Sequence, residues 1–346
     1  MFLVFWWKFR KATMELFKIK DPRELFLSNQ SEQIYFLTQS ATTVLEIYGI
    51  YGAQVHCINF LTNATFSVLT DSGKKYALRI NFNAKRTREN LSAEAEWVRF
   101  LGQFSEVAVA IPKKNLDGSY VTIIRNADTN QELRCILYSW LDGDEIGGNP
   151  SLIHLKSLGQ IMAMMHKSAS HFKLSAKTDL PVLRDLLWGA EDFLFGGRSI
   201  LSRKHKRLLL QAGQHIQMVT EELFKTSARF VIHADIHGRN VISDDNLMQI
   251  LDFDNCGIGL AVQDIAIALY YLETSQQHSA LLAGYESVMP LPEFSDIALK
   301  TLLMQRRLMQ LNFLYETQNP EYKRMLPGYL NNTIERVSAF LTDVRG

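Results

Sequence analysis

The period of the apolar positions changes near the middle of the chain. Before about residue 142 they recur mostly in short runs bounded by turn residues, and after residue 151 mostly at helical spacing. A helix over 32–48 is expected first, capped by Ser31 and ended by Gly49. Residues 55–61 and 65–70 read as strands around a tight turn. Asp71-Ser-Gly-Lys74 reads as a hairpin turn into a third strand over 75–80. The stretch 86–104 carries Leu91, Ala95, Val98 and Leu101 at helical spacing. Residues 107–112 then lead to a hairpin that turns at Asn115-Leu-Asp-Gly118, with strands over 120–124 and 132–138.

Gly147-Gly-Asn-Pro150 breaks the chain before the helical part. Leu152, Leu155, Leu158, Ile161, Met162 and Met165 form one stripe that reads as core packing. Further helices are expected over 183–195, 203–224, 265–272, 278–289, 293–316 and 329–344. One stretch departs from the helical period. Phe230-Val-Ile232 delivers a polar loop holding His233, Asp235, His237 and Asn240, and the chain turns apolar again at Val241 and Ile242. The turn Ser243-Asp-Asp-Asn246 leads to a second apolar run that ends in Asp252 and Asp254. Turn chemistry accounts for Asp244-Asp-Asn246, but not for His, Asp, His and Asn set between strands.

Composition narrows the class. With 346 residues, 47% hydrophobic and 21% charged, the chain suits two lobes of a soluble globular protein. A net charge of +1 supplies no field for nucleic acid or an anionic membrane. The three cysteines, Cys57, Cys135 and Cys256, are scattered, as in a reducing, cytoplasmic setting, and no Cys/His spacing suggests zinc. The opening Met1-Phe-Leu-Val-Phe-Trp-Trp-Lys-Phe-Arg10 is too short for a membrane span, and its basic residues come last, unlike a signal peptide's. Residues 1–30 are expected as an N-terminal extension, with Met14 as an alternative start.

The loop chemistry points to phosphoryl transfer. That reaction needs a carboxylate to orient the attacking hydroxyl and oxygen ligands for Mg²⁺. Asp235 and Asn240 stand five apart, the spacing of base and metal-binding amide in a kinase catalytic loop, and Asp252 suits the second metal ligand. His233-Ala-Asp-Ile-His-Gly-Arg-Asn240 resembles the His-Gly-Asp-x-x-x-x-Asn loop of the aminoglycoside phosphotransferase and choline kinase superfamily. Asp252-Phe-Asp254 is similar to its Asp-Phe-Asp, and Asp264-Ile-Ala266 resembles the Asp-Leu-Ala that follows.

The resemblance implies an α+β, two-lobed protein-kinase-like fold. Its small antiparallel-sheet N-lobe would span 31–141, and its mainly helical C-lobe 142–346. It implies ATP and Mg²⁺ as cofactors and a small-molecule hydroxyl as acceptor. Asp235 would be the catalytic base, Asn240 and Asp252 the metal ligands, and Asp254 a further metal contact or a support for Asp252. Arg79 takes the place of the usual strand Lys on the nucleotide phosphates, and Asn63 and Thr65 stand where a Gly-rich loop would be. Glu94-Ala-Glu-Trp-Val-Arg-Phe-Leu101 is similar to the family's Glu-x-x-x-Leu-x-x-Leu, which selects Glu94 as the acid paired with the strand cation, with Glu96 as competitor. Tyr138 and Trp140 fall at the hinge that holds the adenine. Leu158-Gly159, Ala163 and His166 resemble the Leu-Gly-x-x-x-Ala-x-x-His helix. His233 is expected to pack under the loop, and Asp264 to pin it through backbone contacts or to cap a helix.

The leading expectation is therefore an ATP- and Mg²⁺-dependent kinase for an aminoglycoside, amino alcohol, homoserine or sugar-like acceptor. The alternative is a kinase-like protein that binds a nucleotide or metabolite without turnover, which Arg79 and the Gly-free loop favour. Acids at Asp142, Asp144, Glu145, Glu191 and Asp192 suit a cationic acceptor or simple solvation equally. A protein substrate fits poorly, because no Ala-Pro-Glu follows and only nine residues separate Asp254 from Asp264.

Overall fold

A computed structural model of the chain describes residues 30–82, 86–104, 106–125, 131–244 and 247–344. The expected N-terminal extension, Met14 and the Asp245-Asn246 half of one turn lie outside the described residues. Helix α1 (Gln30–Ile47) precedes β1 (Gln54–Phe60), β2 (Ala64–Leu69) and β3 (Lys75–Asn81). Helix α2 (Arg88–Phe104) and β4 (Ala108–Val109) come next, then β5 (Thr122–Arg125) and β6 (Glu132–Ser139). Strand β7 (Asp144–Glu145) leads to α3 (Leu152–Ala169) and α4 (Arg203–Thr226). The loop region is built from β8 (Phe230–Ile232), β9 (Val241–Asp244), β10 (Leu247–Ile250) and β11 (Gly257–Gly259). Helices α5 (Ala261–Tyr270), α6 (Ser275–Glu286), α7 (Asp296–Glu316) and α8 (Pro320–Asp343) follow. By contact the chain groups into two compact units, Met1–Arg88 with Ile111–Trp140, and Glu89–Ala110 with Leu141–Gly346. Helix α2 thus groups with the second unit.

The first unit is an antiparallel sheet in the order β1-β2-β3-β6-β5. Its two-residue period sorts the side chains by face. Ala64, Phe66, Val68, Leu78, Ile80, Leu133, Cys135 and Leu137 form one buried core with Leu37, Ala41, Val44 and Leu45 of α1. The other face carries Thr65 directly opposite Arg79, and Arg79 opposite Ile136. The turn after β4 forms as expected, since Asn115 Oδ1 accepts from the backbone N–H groups of Asp117 and Ser119. Ser31 lies inside α1 rather than at a cap.

In the second unit, β10 pairs with β4 and β9, β9 also pairs with β7, and β8 pairs with β11. Helices α3 and α6 cross at two glycines. A Cβ on Gly159 would meet the Leu281 carbonyl at 2.0 Å, and one on Gly284 the Lys156 carbonyl at 2.0 Å. Leu209 and Ile216 of α4, Leu308 and Leu311 of α7, and Val337 and Phe340 of α8 share a second core. Among the described residues no helix is long and apolar enough to cross a membrane.

Three further expectations need correction. Residues 183–195 form turns, not a helix. There Asp185 Oδ1 accepts from Leu187 N and Gly189 N, and Asp192 Oδ1 from Leu194 N and Phe195 N. These side chains compete with the helical ladder for the backbone donors. Helix α5 starts at Ala261, so Asp264 lies in its first turn instead of capping it. Helix α8 starts at Pro320 and runs through Pro327, well before the expected start at 329.

Candidate active site

The loop between β8 and β9 is held from beneath by one carboxylate. Asp264, fully buried, accepts from His233 N at 2.9 Å and from Ala234 N at 2.7 Å. Its Oδ2 also meets His166 Nε2 at 3.1 Å, and His166 Nδ1 meets the Tyr285 hydroxyl at 2.9 Å. Helix α3 and the α3–α6 crossing therefore reach the loop through His166 and Tyr285. Ala234 sits in the left-handed region at φ 64°, a strain that the two backbone bonds hold in place. His233 lies under the loop as expected. Its Nδ1 accepts from Asp235 N at 3.2 Å, which leaves Nε2–H to donate to Leu251 O at 2.9 Å. Gly238 has a packing reason too, since a Cβ there would lie 2.1 Å from the Gly147 carbonyl.

Asn240 joins the loop to the second carboxylate-bearing run. Its Nδ2 donates to the backbone carbonyl of Asp235 at 2.8 Å, and its own carbonyl accepts from Leu251 N at 2.9 Å. Asp252 follows directly, in the left-handed region at φ 59°, and opens the short turn Phe253–Asn255. Asn255 Nδ2 returns to Asp235 Oδ2 at 3.2 Å. Asp235, Asn240 and the turn beginning at Asp252 are thus tied into one hydrogen-bonded cluster. The donor set suits a hard cation, because Asn240 and Asp252 offer oxygen alone. Among the described residues no three His, Cys, Asp or Glu side chains gather as a self-sufficient metal site.

A group that sequence reasoning missed faces Asp235. Arg306 of α7 donates from Nη2 to Asp235 Oδ1 and, at 2.6 Å, to the Tyr271 hydroxyl. Gln310 Nε2 holds the same hydroxyl at 2.8 Å, and the guanidinium lies 5.4 Å from the Tyr271 ring. Burial alone would lower the Arg306 pKa, but the Asp235 carboxylate and Tyr271 raise it overall, so Arg306 stays charged. Burial pushes the Tyr271 phenol up to about 12, which keeps the hydroxyl protonated while it accepts from Arg306 and Gln310. His237 Nε2 lies 3.7 Å from Asp235 Oδ1. Burial lowers the His237 pKa to about 4 against the opposing pull of Asp235, so the imidazole is neutral at pH 7. One sequence signal was available: Arg306-Arg307 interrupts the apolar run of α7, and buried charges are retained only with partners.

The remaining predicted residues divide between the two units. In the first, Arg79 is buried and its guanidinium lies 5.5 Å from the Tyr138 ring, on the face that carries Thr65. Asn63 Oδ1 accepts from Asn81 Nδ2 at 2.6 Å. Lys75 Nζ lies 5.9 Å from the Trp140 ring. In the second unit, Glu94 is 1% exposed, whereas Glu96 accepts from Ser175 and Thr178.

Known proteins resemble this chain along most of its length. A model of the phosphotransferase enzyme family matches residues 61–294. An amicoumacin kinase of Bacillus subtilis (strain 168) is 25% identical over 335 residues, 90% of this chain and 93% of the relative. A homoserine kinase of Methylobacillus glycogenes is 29% identical over 67% of this chain and 70% of its own. Among solved structures, a microcompartment-associated aminopropanol kinase superposes with a TM-score of 0.70 at 21% identity, covering 88% of this chain and 98% of that one. An amicoumacin kinase solved with AMP-PNP and Ca²⁺ gives 0.68 at 19% identity, over 87% and 93%. These likenesses establish the α+β, protein-kinase-like fold expected from the sequence.

Proposed function

The chain belongs to the phosphotransferase enzyme family and is a small-molecule kinase with an alcohol acceptor, and we propose that ATP and Mg²⁺ serve it with Asp235 as the base. The acceptor hydroxyl attacks the terminal phosphorus of ATP, the bond to the bridging oxygen of ADP breaks, and the hydroxyl proton passes to Asp235. The observation that carries this reading is the bonded cluster of Asp235, Asn240 and the turn at Asp252. Bound Mg²⁺ would neutralise phosphate charge, and Asn240 and Asp252 would hold it, with Asp254 as a further contact or a support for Asp252.

Arg79 and Glu94 are assigned to the nucleotide phosphates, Asn63 and Thr65 to the turn over them, and Tyr138 and Trp140 to the adenine. The lobes are proposed at 31–141 and 142–346, after an extension at 1–30. Amicoumacin, homoserine, hydroxylysine and aminopropanol, named for the relatives, define the acceptor range to search first. A cytoplasmic location is part of the proposal, supported by three cysteines that form no disulfide.

ADP release by the purified chain, measured with Mg·ATP and a panel of amino alcohols, sugars and aminoglycosides, tests the proposal. Asp235→Asn should abolish turnover while nucleotide binding survives. Near-normal turnover by that variant would remove Asp235 from the chemistry.

A further inference from the structure

We propose that Arg306 sets acceptor specificity, and that the acceptor is a hydroxyl compound bearing a carboxylate close to the hydroxyl that is phosphorylated. This rests on the reading of Asp235 as the base.

The pairing of Arg306 with Asp235 is costly as architecture alone. Arg306 is 7% exposed, and a buried ion pair gains little over apolar side chains of the same volume. Its neighbour shows what a structural arginine does in this helix. Arg307 donates from Nε to Thr333 Oγ1 at 3.1 Å and covers the Tyr329 ring at 4.6 Å, joining α7 to α8. Arg306 instead spends its charge on the proposed base.

Its hydrogen-bonding capacity is also unfinished. Of its five N–H donors, only those on Nη2 meet partners among the described residues, and the buried Nε meets none. A planar fork with spare donors matches a carboxylate, which takes two parallel N–H bonds. Asp235 Oδ1 accepts from Nη2 alone and leaves the rest of the fork to such a group.

Charge balance gives the same answer. Asp235 and Arg306 pair, so their charges cancel within that contact and Asp235 is not an open anion for a cationic acceptor. Two acids that suited a cationic acceptor have other work. Glu191 pairs with Arg198 at 2.7 Å, and Asp192 caps its own turn. When Asp235 takes the hydroxyl proton it loses its charge, and the buried guanidinium is then left without a counter-ion. A carboxylate on the acceptor supplies one at that moment.

The test uses matched acceptors that differ only by a carboxylate: L-homoserine against 3-aminopropan-1-ol, and L-serine against ethanolamine. With Mg·ATP, the wild-type chain should favour the carboxylate member by on the order of 100-fold in kcat/KM, the scale for a desolvated charge pair. Arg306→Gln should erase that preference mainly by raising KM for the carboxylate member. Arg306→Lys keeps the charge but loses the fork, and should fall at least about tenfold on carboxylate acceptors. If Arg306→Gln fails to fold, judged by its melting curve, the lysine variant carries the test. Equal or better use of the decarboxylated member by wild type overturns the inference, as does a preference unchanged in the variants. Turnover confined to alcohols without a carboxylate overturns it and leaves the kinase reading standing, whereas no transfer to any acceptor overturns both.

Discussion

Removing the Asp264 carboxylate should loosen the loop that carries Asp235. Two backbone donors, His233 N and Ala234 N, end on its two oxygens with no access to water. A hydrogen bond to a charged acceptor contributes about 1.5–3 kcal/mol, and a buried donor left without a partner loses a comparable amount. Asp264→Ala should therefore cost roughly 3–6 kcal/mol, a fall in Tm of about 10 °C or more for a unit of this size. Asp264→Asn keeps one acceptor oxygen but turns an amide NH2 toward the other backbone donor, so it should cost about half as much. Tyr285→Phe removes only the hydroxyl on His166 Nδ1 and should cost about 1 kcal/mol. Thermal melts measure the energies, and hydrogen exchange at the His233 and Ala234 amides reports the loop itself. An Asp264→Ala protein that melts within about 2 °C of wild type, with those amides still protected, would refute the anchoring role.

Asp252→Ala should weaken Mg²⁺-dependent nucleotide binding more than Asn240→Ala does, because it removes a full charge. Calorimetric titration with Mg·ATP decides it, and equal binding by wild type and Asp252→Ala would rule out that ligand. Arg79→Ala should lower kcat/KM by the equivalent of about 2–4 kcal/mol, the scale of one preorganised electrostatic contact, whereas Arg79→Lys should retain appreciable activity. Near-normal kinetics for Arg79→Ala would take Arg79 off the phosphates. His237 makes stability pH-dependent. Burial lowers its folded-state pKa from 6.5 to about 4. Above pH 6.5 the ring is neutral in both states, and between about 6.5 and 4 only the unfolded chain takes up the proton. Stability should then fall with pH across that window, by on the order of 3 kcal/mol in total. Melts from pH 7.5 to 4 should show a shallower slope for His237→Asn, and an unchanged slope would contradict the burial argument.

The catalytic loop was legible in the sequence because its chemistry is local. His233, Asp235 and Asn240 lie within eight residues between two apolar runs, and the strand that returns Asp252 is set by the same short-range pattern. The strand that carries Arg79 and helix α1 were legible from equally local signals, a hairpin turn before the one and Gly49 after the other. Longer-range partners decided the rest. Residues 183–195 have the composition of a helix, yet Gln305 and Asn312 of α7 take the carbonyls of Asp185, Leu186 and Glu191. Trp188 and Gly189 both adopt positive φ there, which ends any helical run. Pro327-Gly328 reads as a break, yet α8 runs through it because Leu326, Tyr329 and Leu330 pack on the core of α4 and α7. That packing outweighs the lost hydrogen bond and the low helix propensity. Arg306 meets Asp235 across 71 positions of chain, and no local pattern marks which carboxylate a buried arginine will find. Sequence periodicity reports only which side of an element is buried, while the choice of charge partner depends on how α7 packs against the loop.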